Sequence, residues 1–163
     1  CQRGGGDWTS GADRAGGIHR APGCRVKVGF AATWEVDGIW PKIARGMQRA
    51  CERGVDNWSA GELWQLCRSG RAFLCVVFDD ATLEIHQASV WQFMEKDGRT
   101  IFRCLALWGV GMRGWVDGVR SFITKTAKEN GAKALVTKGR QGWLRFFHAE
   151  QVGDDYEVNI DGR

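Results

Sequence analysis

The sequence predicts a three-layer α+β domain in which a mixed, mostly antiparallel sheet is flanked by helices. Apolar or alternating stretches follow one another at 72–78, 83–94 and 101–108 with short turns between them, which is typical of antiparallel strands. Apolar stripes at helical spacing lie on either side of them, at 39–53 and 115–127. The predicted order is strand, helix, helix, three strands, helix, strand, helix, strand.

Composition favours one globular domain. The chain has 163 residues, of which 44% are hydrophobic, and this is enough for a sizeable core. The net charge is +4, but no compact run of Lys and Arg is present, so a solvated surface is favoured and nucleic acid is an unlikely partner. No apolar run approaches the roughly 20 residues of a membrane span, and no signal-peptide pattern is visible, so we predict no membrane partner.

The first 25 residues differ from the rest of the chain. They are rich in glycine and lack periodicity, so we predict a flexible arm at 1–25 and a single domain at 26–163. The six cysteines form no C-x-x-C pair and no Cys/His cluster with zinc spacing, which predicts no metal site and a reducing, intracellular compartment.

The first half of the domain is predicted from apolar spacing and helix-start signals. A strand alternates Val26, Val28 and Phe30, and a helix follows at Ile39–Arg53 with Pro41 in its first turn. The residues 59–62 (Ser-Ala-Gly-Glu) match a capping box at the start of a second helix.

The strands that follow are predicted to form the centre of the sheet. Ala72–Phe78 is almost wholly apolar, Leu83–Met94 alternates, and an Asp-Gly pair at 97–98 favours a tight hairpin. Ile101–Trp108 is apolar on both faces apart from Arg103, so it is predicted to be central.

The C-terminal part is predicted to continue with helix, strand, helix and strand. The helix after Gly111 ends at the Asn-Gly pair 130–131, and a short strand follows at Lys133–Thr137. A further helix is predicted over Gly139–Ala149 and a last strand over Val152–Ile160.

A glycine-bearing turn joins the strand that ends at Trp108 to the helix after it. Backbone N–H groups at a helix N-terminus suit phosphate, and Arg113 can neutralise its charge. An ordinary strand-to-helix turn explains the glycines equally well. The candidate phosphate-binding residues are Gly109, Val110, Gly111, Met112, Arg113 and Gly114.

The order of elements over about residues 26–160, together with the pair Phe146-Phe147, resembles the GNAT N-acetyltransferases. The resemblance implies the GNAT fold, acetyl-CoA as a cofactor bound at 109–114, an amine substrate and N-acetyltransferase activity. The family's Q/R-x-x-G-x-G/A pattern is absent from this turn. Where the family often has a Phe-Tyr pair whose Tyr protonates the departing thiolate, this chain has Phe147, which has no hydroxyl.

Two segments are similar to GNAT-like proteins of tailed phages and prophages. These segments are Lys138–Arg145 and Trp40–Met47. This resemblance implies protein partners in a phage particle or complex, and a location in the host cytoplasm or in the virion.

The candidate catalytic residues are Glu84, His86 and His148. Glu84 and His86 lie two residues apart and share one face of a predicted strand, where a base could meet an amine. A solvated strand face accounts for the same pair, and His148 equally fits a surface helix end. Tyr156, the only tyrosine, is a further candidate acid.

Two functional hypotheses follow. In the first, the chain is an acyl-CoA-dependent N-acyltransferase with unusual acid and base groups. In the second, it is a catalytically silent GNAT-fold structural or binding component, for example of a phage particle, in which aromatics such as Trp108, Trp143 and Phe147 fill the gap between strands.

Overall fold

The computed structural model describes residues 19–20, 26–139, 142, 145 and 147–161. Its centre is an eight-stranded sheet in the order β1-β2-β3-β4-β5-β6-β8-β7, in which every neighbouring pair is antiparallel except β5 and β6. The predicted α+β class, with helices flanking a mostly antiparallel sheet, is therefore confirmed. The strands are β1 (His19–Arg20), β2 (Val26–Phe30), β3 (Phe73–Asp79), β4 (Ile85–Lys96), β5 (Arg99–Gly109), β6 (Ala134–Lys138), β7 (Glu150–Val152) and β8 (Asp155–Asn159).

Helices cover both faces of the sheet. The described helices are α1 (Val36–Arg53), α2 (Ala60–Arg68) and α3 (Val116–Glu129), with short 3-10 turns at Thr33–Glu35 and Met112–Gly114. One core packs α1 and α2 on the sheet through Ile43, Met47, Leu63, Leu74 and Val90, and the other packs α3 through Phe30, Trp91, Phe102, Phe122 and Leu135. Each of these side chains is almost fully buried, and burial of one such side chain stabilises the fold by about 1.5–3 kcal/mol.

The start of α1 differs from the prediction. The helix begins at Val36 rather than Ile39, so Pro41 lies inside it and not in its first turn. The Glu35 carboxylate accepts a 2.8 Å hydrogen bond from the Ala32 N–H, and this contact starts a 3-10 turn that runs directly into α1. The capping box of α2 is confirmed, because Ser59 and Glu62 exchange hydrogen bonds of 3.0 and 3.1 Å.

The second strand of the central hairpin, β4, also has other bounds than predicted. It runs from Ile85 rather than Leu83 and extends to Lys96. Leu83 has a φ of 63°, and the Asp79 carboxylate accepts hydrogen bonds from the N–H groups of Ala81 and Thr82, so the turn extends further. Glu84 therefore precedes the strand instead of lying in it.

The C-terminal region is a hairpin rather than the single strand predicted over Val152–Ile160. β7 and β8 pair about a turn at Gly153, whose φ of 65° suits glycine. The helix predicted over Gly139–Ala149 lies largely outside the described residues, as do Trp143 and Phe146. Within the predicted arm, His19 and Arg20 pair with β2.

Candidate functional site

The parallel strands β5 and β6 separate partway along the sheet. Their register runs from Ile101 opposite Ala134 to Cys104 opposite Thr137. The Thr137 hydroxyl donates a 3.2 Å hydrogen bond to the Cys104 carbonyl at the last paired position. Beyond this position, β5 continues to Gly109, and among the described residues it pairs there only with β4. Within the described part of the chain, no strand pairs with the β6 side of β5 beyond this point.

A β-bulge lies at the point of separation. Val90 pairs with Ala106 and Trp91 pairs with Cys104, so Leu105 has no partner of its own on β4. An extra residue of this kind bends a strand and redirects its side chains, and bulges are common beside active sites. The half-buried Leu105 side chain consequently faces a cleft on the α1 side of the sheet.

The turn after β5 is held by Trp115. A Cβ at Gly109 would lie 2.5 Å from Cζ2 of the Trp115 ring, so glycine is required for this close approach. The Trp115 indole is 4% exposed, and its Nε1 donates a 2.7 Å hydrogen bond to the Val110 carbonyl. The ring therefore fixes the turn from the α3 side.

The six residues predicted to bind phosphate run from the last residue of β5 through the turn ahead of α3. Gly111 has a φ of 64°, which suits glycine, and Met112–Gly114 form a 3-10 turn. The Val110 N–H donates to the His86 carbonyl, but the N–H groups of Gly111, Met112 and Arg113 meet no acceptor in the described part of the chain. With the exposed Arg113 and the N-terminus of α3 beside them, these groups fit a phosphate.

A cleft of about 470 Å³ lies on the α1 side of the sheet, where β5 and β6 separate. This volume suits a small ligand. Its walls come from the α1–α2 connection and from β4, β5 and β6, and we call it the α1-side cleft. It is lined by Asp56, Asn57, Trp58, Glu62, Gln92, Met94, Arg103, Leu105 and Lys138.

Charged residues converge in the α1-side cleft. Arg103 Nη2 donates a 2.8 Å hydrogen bond to Asp56 Oδ2, and Lys138 Nζ lies 4.0 Å from Asp56 Oδ1. Arg103 Nε is buried and has no hydrogen-bond partner among the residues that the structure describes. A buried donor without an acceptor costs about 1–3 kcal/mol, so the cleft has unused capacity to bind an acceptor group.

Glu84, His86 and His148 are not among the residues that line this cleft. Glu84 is exposed just before β4, and the His86 carbonyl accepts a hydrogen bond from the Val110 N–H, so His86 lies beside the glycine turn. Gly109, at this end of β5, is four residues or about 13 Å from Leu105. His148 is exposed with a φ of 54°, and no described hydrogen bond or ion pair joins it to the other two. Their catalytic roles stay predictions.

Phe147 and Tyr156 lie on the α3 side. Phe147 is 3% exposed and its ring centroid is 6.5 Å from that of Trp91. Tyr156 is 7% exposed and pairs with Thr137, so the two side chains share one face next to the point where β5 and β6 separate. Trp108 packs on α1, because a Cβ at Gly46 would lie 2.5 Å from its ring. Its side chain is thus held against α1.

The cysteines near the site are not activated as nucleophiles. Burial raises the pKa of Cys75 to about 12, although a hydrogen bond with Ser89 opposes this effect. Burial raises the pKa of Cys104 as well, and the nearby Cys75 adds to the shift. Both thiols stay protonated near neutral pH, so a covalent acyl-cysteine step has no support. Within the described ranges, no group of three or more His, Cys, Asp or Glu residues could hold a metal ion.

Sequence reasoning missed the charged residues of the cleft. The one available signal was Arg103, the only polar residue in an otherwise apolar central strand. Asp56 and Lys138 lie far from it in sequence, and their meeting depends on how α1 crosses the sheet. No helix in the described part of the chain is both long and apolar enough to cross a membrane.

The strand order, the separation of β5 from β6 and the glycine turn together define the GNAT acetyltransferase fold. Solved structures of that class align with most of this chain, and the predicted resemblance is confirmed at the level of the fold. No family model and no curated protein sequence matches the chain.

Three of these structures illustrate the likeness. The ribosomal-protein-S5-alanine acetyltransferase from Vibrio fischeri aligns with a TM-score of 0.60 at 10% identity, over 89% of this chain and 97% of that chain. A GNAT family N-acetyltransferase from Escherichia coli, in complex with CoA, aligns with a TM-score of 0.60 at 14% identity, over 87% of this chain and 85% of that chain. A Salmonella typhimurium acetyltransferase that modifies the N-terminal serine of ribosomal protein L7/L12 aligns with a TM-score of 0.57 at 15% identity, over 84% of this chain and 96% of that chain. At these identities the likeness concerns the fold alone.

Proposed function

We propose that this chain is an acyl-CoA-dependent N-acyltransferase that transfers an acetyl group from acetyl-CoA to a small amine. The observation that carries the proposal is the separation of β5 from β6 after Cys104 and Thr137, with an N–H-bearing turn at one end of it and a cleft on the α1 side. One opening could thus receive the acyl donor and the amine from different sides of the sheet.

The residues present fit the donor. The N–H groups of Gly111, Met112 and Arg113 would hold its pyrophosphate, together with the Arg113 side chain and the dipole of α3. The side of β5 that pairs with no described strand from Leu105 onward would hydrogen-bond the amide arm. The donor supplies an activated thioester.

The reaction needs little beyond alignment and proton transfer. The amine nitrogen forms a bond to the acyl carbon, the bond from that carbon to sulfur breaks, and the amine loses the proton that the thiolate takes up. The protein's contribution is to hold the amine at the opening, and positioning of this kind supplies a large part of a rate enhancement. Glu84, His86 and His148 are the acid and base candidates that the sequence suggests, and single-turnover rates of their variants decide between this role and a role in donor binding. Tyr156, next to Thr137, is a further candidate.

A second candidate function is a catalytically silent GNAT-fold component, for example of a phage particle, located in the host cytoplasm or the virion. The buried Phe147 favours it, because a phenyl ring at this position cannot protonate a thiolate. In this case the glycine turn is only a structural connection and acetyl-CoA does not bind.

A turnover assay distinguishes the two. Release of free CoA from acetyl-CoA is followed with a panel of amines and amino acids, and acetylated products are identified by mass spectrometry. Product that depends on both the protein and the amine supports the acyltransferase. Absence of product with every amine, from protein shown by circular dichroism to be folded, contradicts it and favours the silent component.

A further inference from the structure

In the α1-side cleft, Arg103 Nε and Lys138 Nζ have no hydrogen-bond acceptor among the described residues. We propose that Arg103 and Lys138 bind a carboxylate of the acceptor, so that the acceptor is an α-amino acid with an apolar side chain. This inference rests on the proposed function, because it names the amine that the acyltransferase would use.

The unpaired donors are identified from the contacts of three residues. Asp56 accepts one 2.8 Å bond from Arg103 Nη2. Lys138 Nζ, at 4.0 Å from Asp56, is too far away for a hydrogen bond. Arg103 Nε is buried without an acceptor among the described residues. The Asp56 carboxylate is thus shared by two cations, and a ligand carboxylate would supply a further acceptor.

Glu62 does not supply that acceptor. Its Oε2 accepts a 3.0 Å bond from the Ser59 N–H and its own N–H donates to the Ser59 hydroxyl, so the carboxylate is held at the start of α2. Glu62 and Lys138 are both exposed, so solvent screens both charges, and the half-buried Arg103 is the cation that most needs a further acceptor.

The position of the cations selects an α-amine. Arg103 precedes Cys104 on β5, and Lys138 follows Thr137 on β6, so the two cations border the last paired position before the strands separate. In an α-amino acid the amine is only two bonds from the carboxyl carbon. When the carboxylate is held by these cations, this amine lies at the opening. An amine at the end of a long side chain would lie several bonds further away.

The remaining walls select the side chain. Trp58, Met94 and Leu105 line the same cleft. Met94 is 37% exposed and would lose contact with water when an apolar group covers it. An aromatic or branched aliphatic side chain fits these walls.

The test compares phenylalanine with phenethylamine, which has the same ring and amine but no carboxylate. Binding is measured by calorimetry, with and without CoA. We expect phenylalanine to bind at least about tenfold more tightly than phenethylamine, because its carboxylate adds a charge-assisted hydrogen bond. Lys138→Met should remove most of this difference. Lys133→Met is the matched control, because Lys133 precedes the same strand but pairs with Asp161 outside the cleft.

A second variant guards against loss of folding. Arg103→Lys keeps the charge but removes the Nε donor, and we expect it to weaken phenylalanine binding while the far-ultraviolet circular dichroism is unchanged. Equal or tighter binding of phenethylamine, an unchanged preference in Lys138→Met, or no binding of either compound would overturn the inference. If phenylalanine is preferred but CoA neither binds nor is released, the carboxylate site stands and the acyltransferase proposal fails.

Discussion

The indole of Trp115 lies against the backbone of Gly109 and donates a 2.7 Å hydrogen bond to the carbonyl of Val110. The residue just before α3 is thereby tied to the last residue of β5. Because the turn between them has the N–H groups proposed to bind phosphate, this contact links the packing of the core to the proposed donor site.

Gly109→Ala tests this contact. The added methyl would lie 2.5 Å from the Trp115 ring, so we expect a loss of about 1–3 kcal/mol in the free energy of unfolding, measured by urea denaturation. Gly118→Ala is the control, because its Cβ would meet nothing within 4 Å and alanine favours helix by up to about 1 kcal/mol. A Gly109→Ala protein as stable as the parent would contradict the contact.

Arg113→Gln tests the electrostatic part of donor binding. Arg113 is exposed beside the turn, so its interaction with phosphate should be modest and sensitive to salt. We expect about two- to fivefold weaker acetyl-CoA binding in calorimetry, with the difference shrinking as salt rises. Lys125→Gln removes an exposed cation from the middle of α3 and should leave affinity unchanged. Equal effects of the two substitutions would rule out a local role for Arg113.

Glu84→Gln and His86→Gln separate binding from chemistry. His86 contacts the glycine turn and Glu84 precedes His86 by two residues, while Leu105 is about 13 Å further along β5 from Gly109. We therefore expect these substitutions to alter the Kd for acetyl-CoA and to change the single-turnover rate by less than about threefold, in contrast to the hundredfold or more typical of a lost acid or base. A rate loss of that larger size at unchanged Kd would establish the catalytic role that the sequence suggests. His148→Gln is measured in the same way.

The fold was predictable because its signals are local. The alternating strand with Asp-Gly after it, the capping box at Ser59 and the stripe on α3 each depend on neighbouring residues. The predicted start of α1 was wrong, because proline was assigned to a first turn while Glu35 and Ala32 had already begun the helical path. The β7–β8 hairpin was missed because a single glycine was its only local sign.

The candidate site was only half predictable. The glycine turn is contiguous in sequence, so its six residues could be named together. The α1-side cleft is not contiguous in sequence, because Asp56, Arg103 and Lys138 come from three separate segments that meet only in the folded protein. Arg103 alone gave a sign, as a charge in an apolar strand.

Lys96→Met tests a charge network on β8. Lys96 Nζ lies 2.6 Å from Asp155 and 3.2 Å from Glu157, and the hydrogen bond to Asp155 is the main reason that the pKa of Lys96 is raised. A raised lysine pKa means that the stabilisation is complete below its ordinary value of 10.5 and is lost as pH rises through the folded-state pKa. We expect Lys96→Met to cost about 1–2 kcal/mol in urea denaturation at neutral pH.

The difference between parent and Lys96→Met should disappear once the lysine has titrated at alkaline pH. Lys133→Met is the control, because the Lys133–Asp161 pair is about half exposed on both sides and should contribute almost nothing. A stability difference that persists unchanged at alkaline pH would mean that packing of the lysine chain, not its charge, stabilises β8.

Calorimetric binding of acetyl-CoA tests the central claim most directly. Gly111→Trp would fill the turn, and Gly98→Trp is a matched control, because Gly98 also has a positive φ, of 76°, and nothing within 4 Å of its Cβ. We predict micromolar binding to the parent and to Gly98→Trp, and loss of binding in Gly111→Trp. Absence of binding at millimolar acetyl-CoA, or equal binding to both variants, would contradict the proposal that this turn holds the acyl donor.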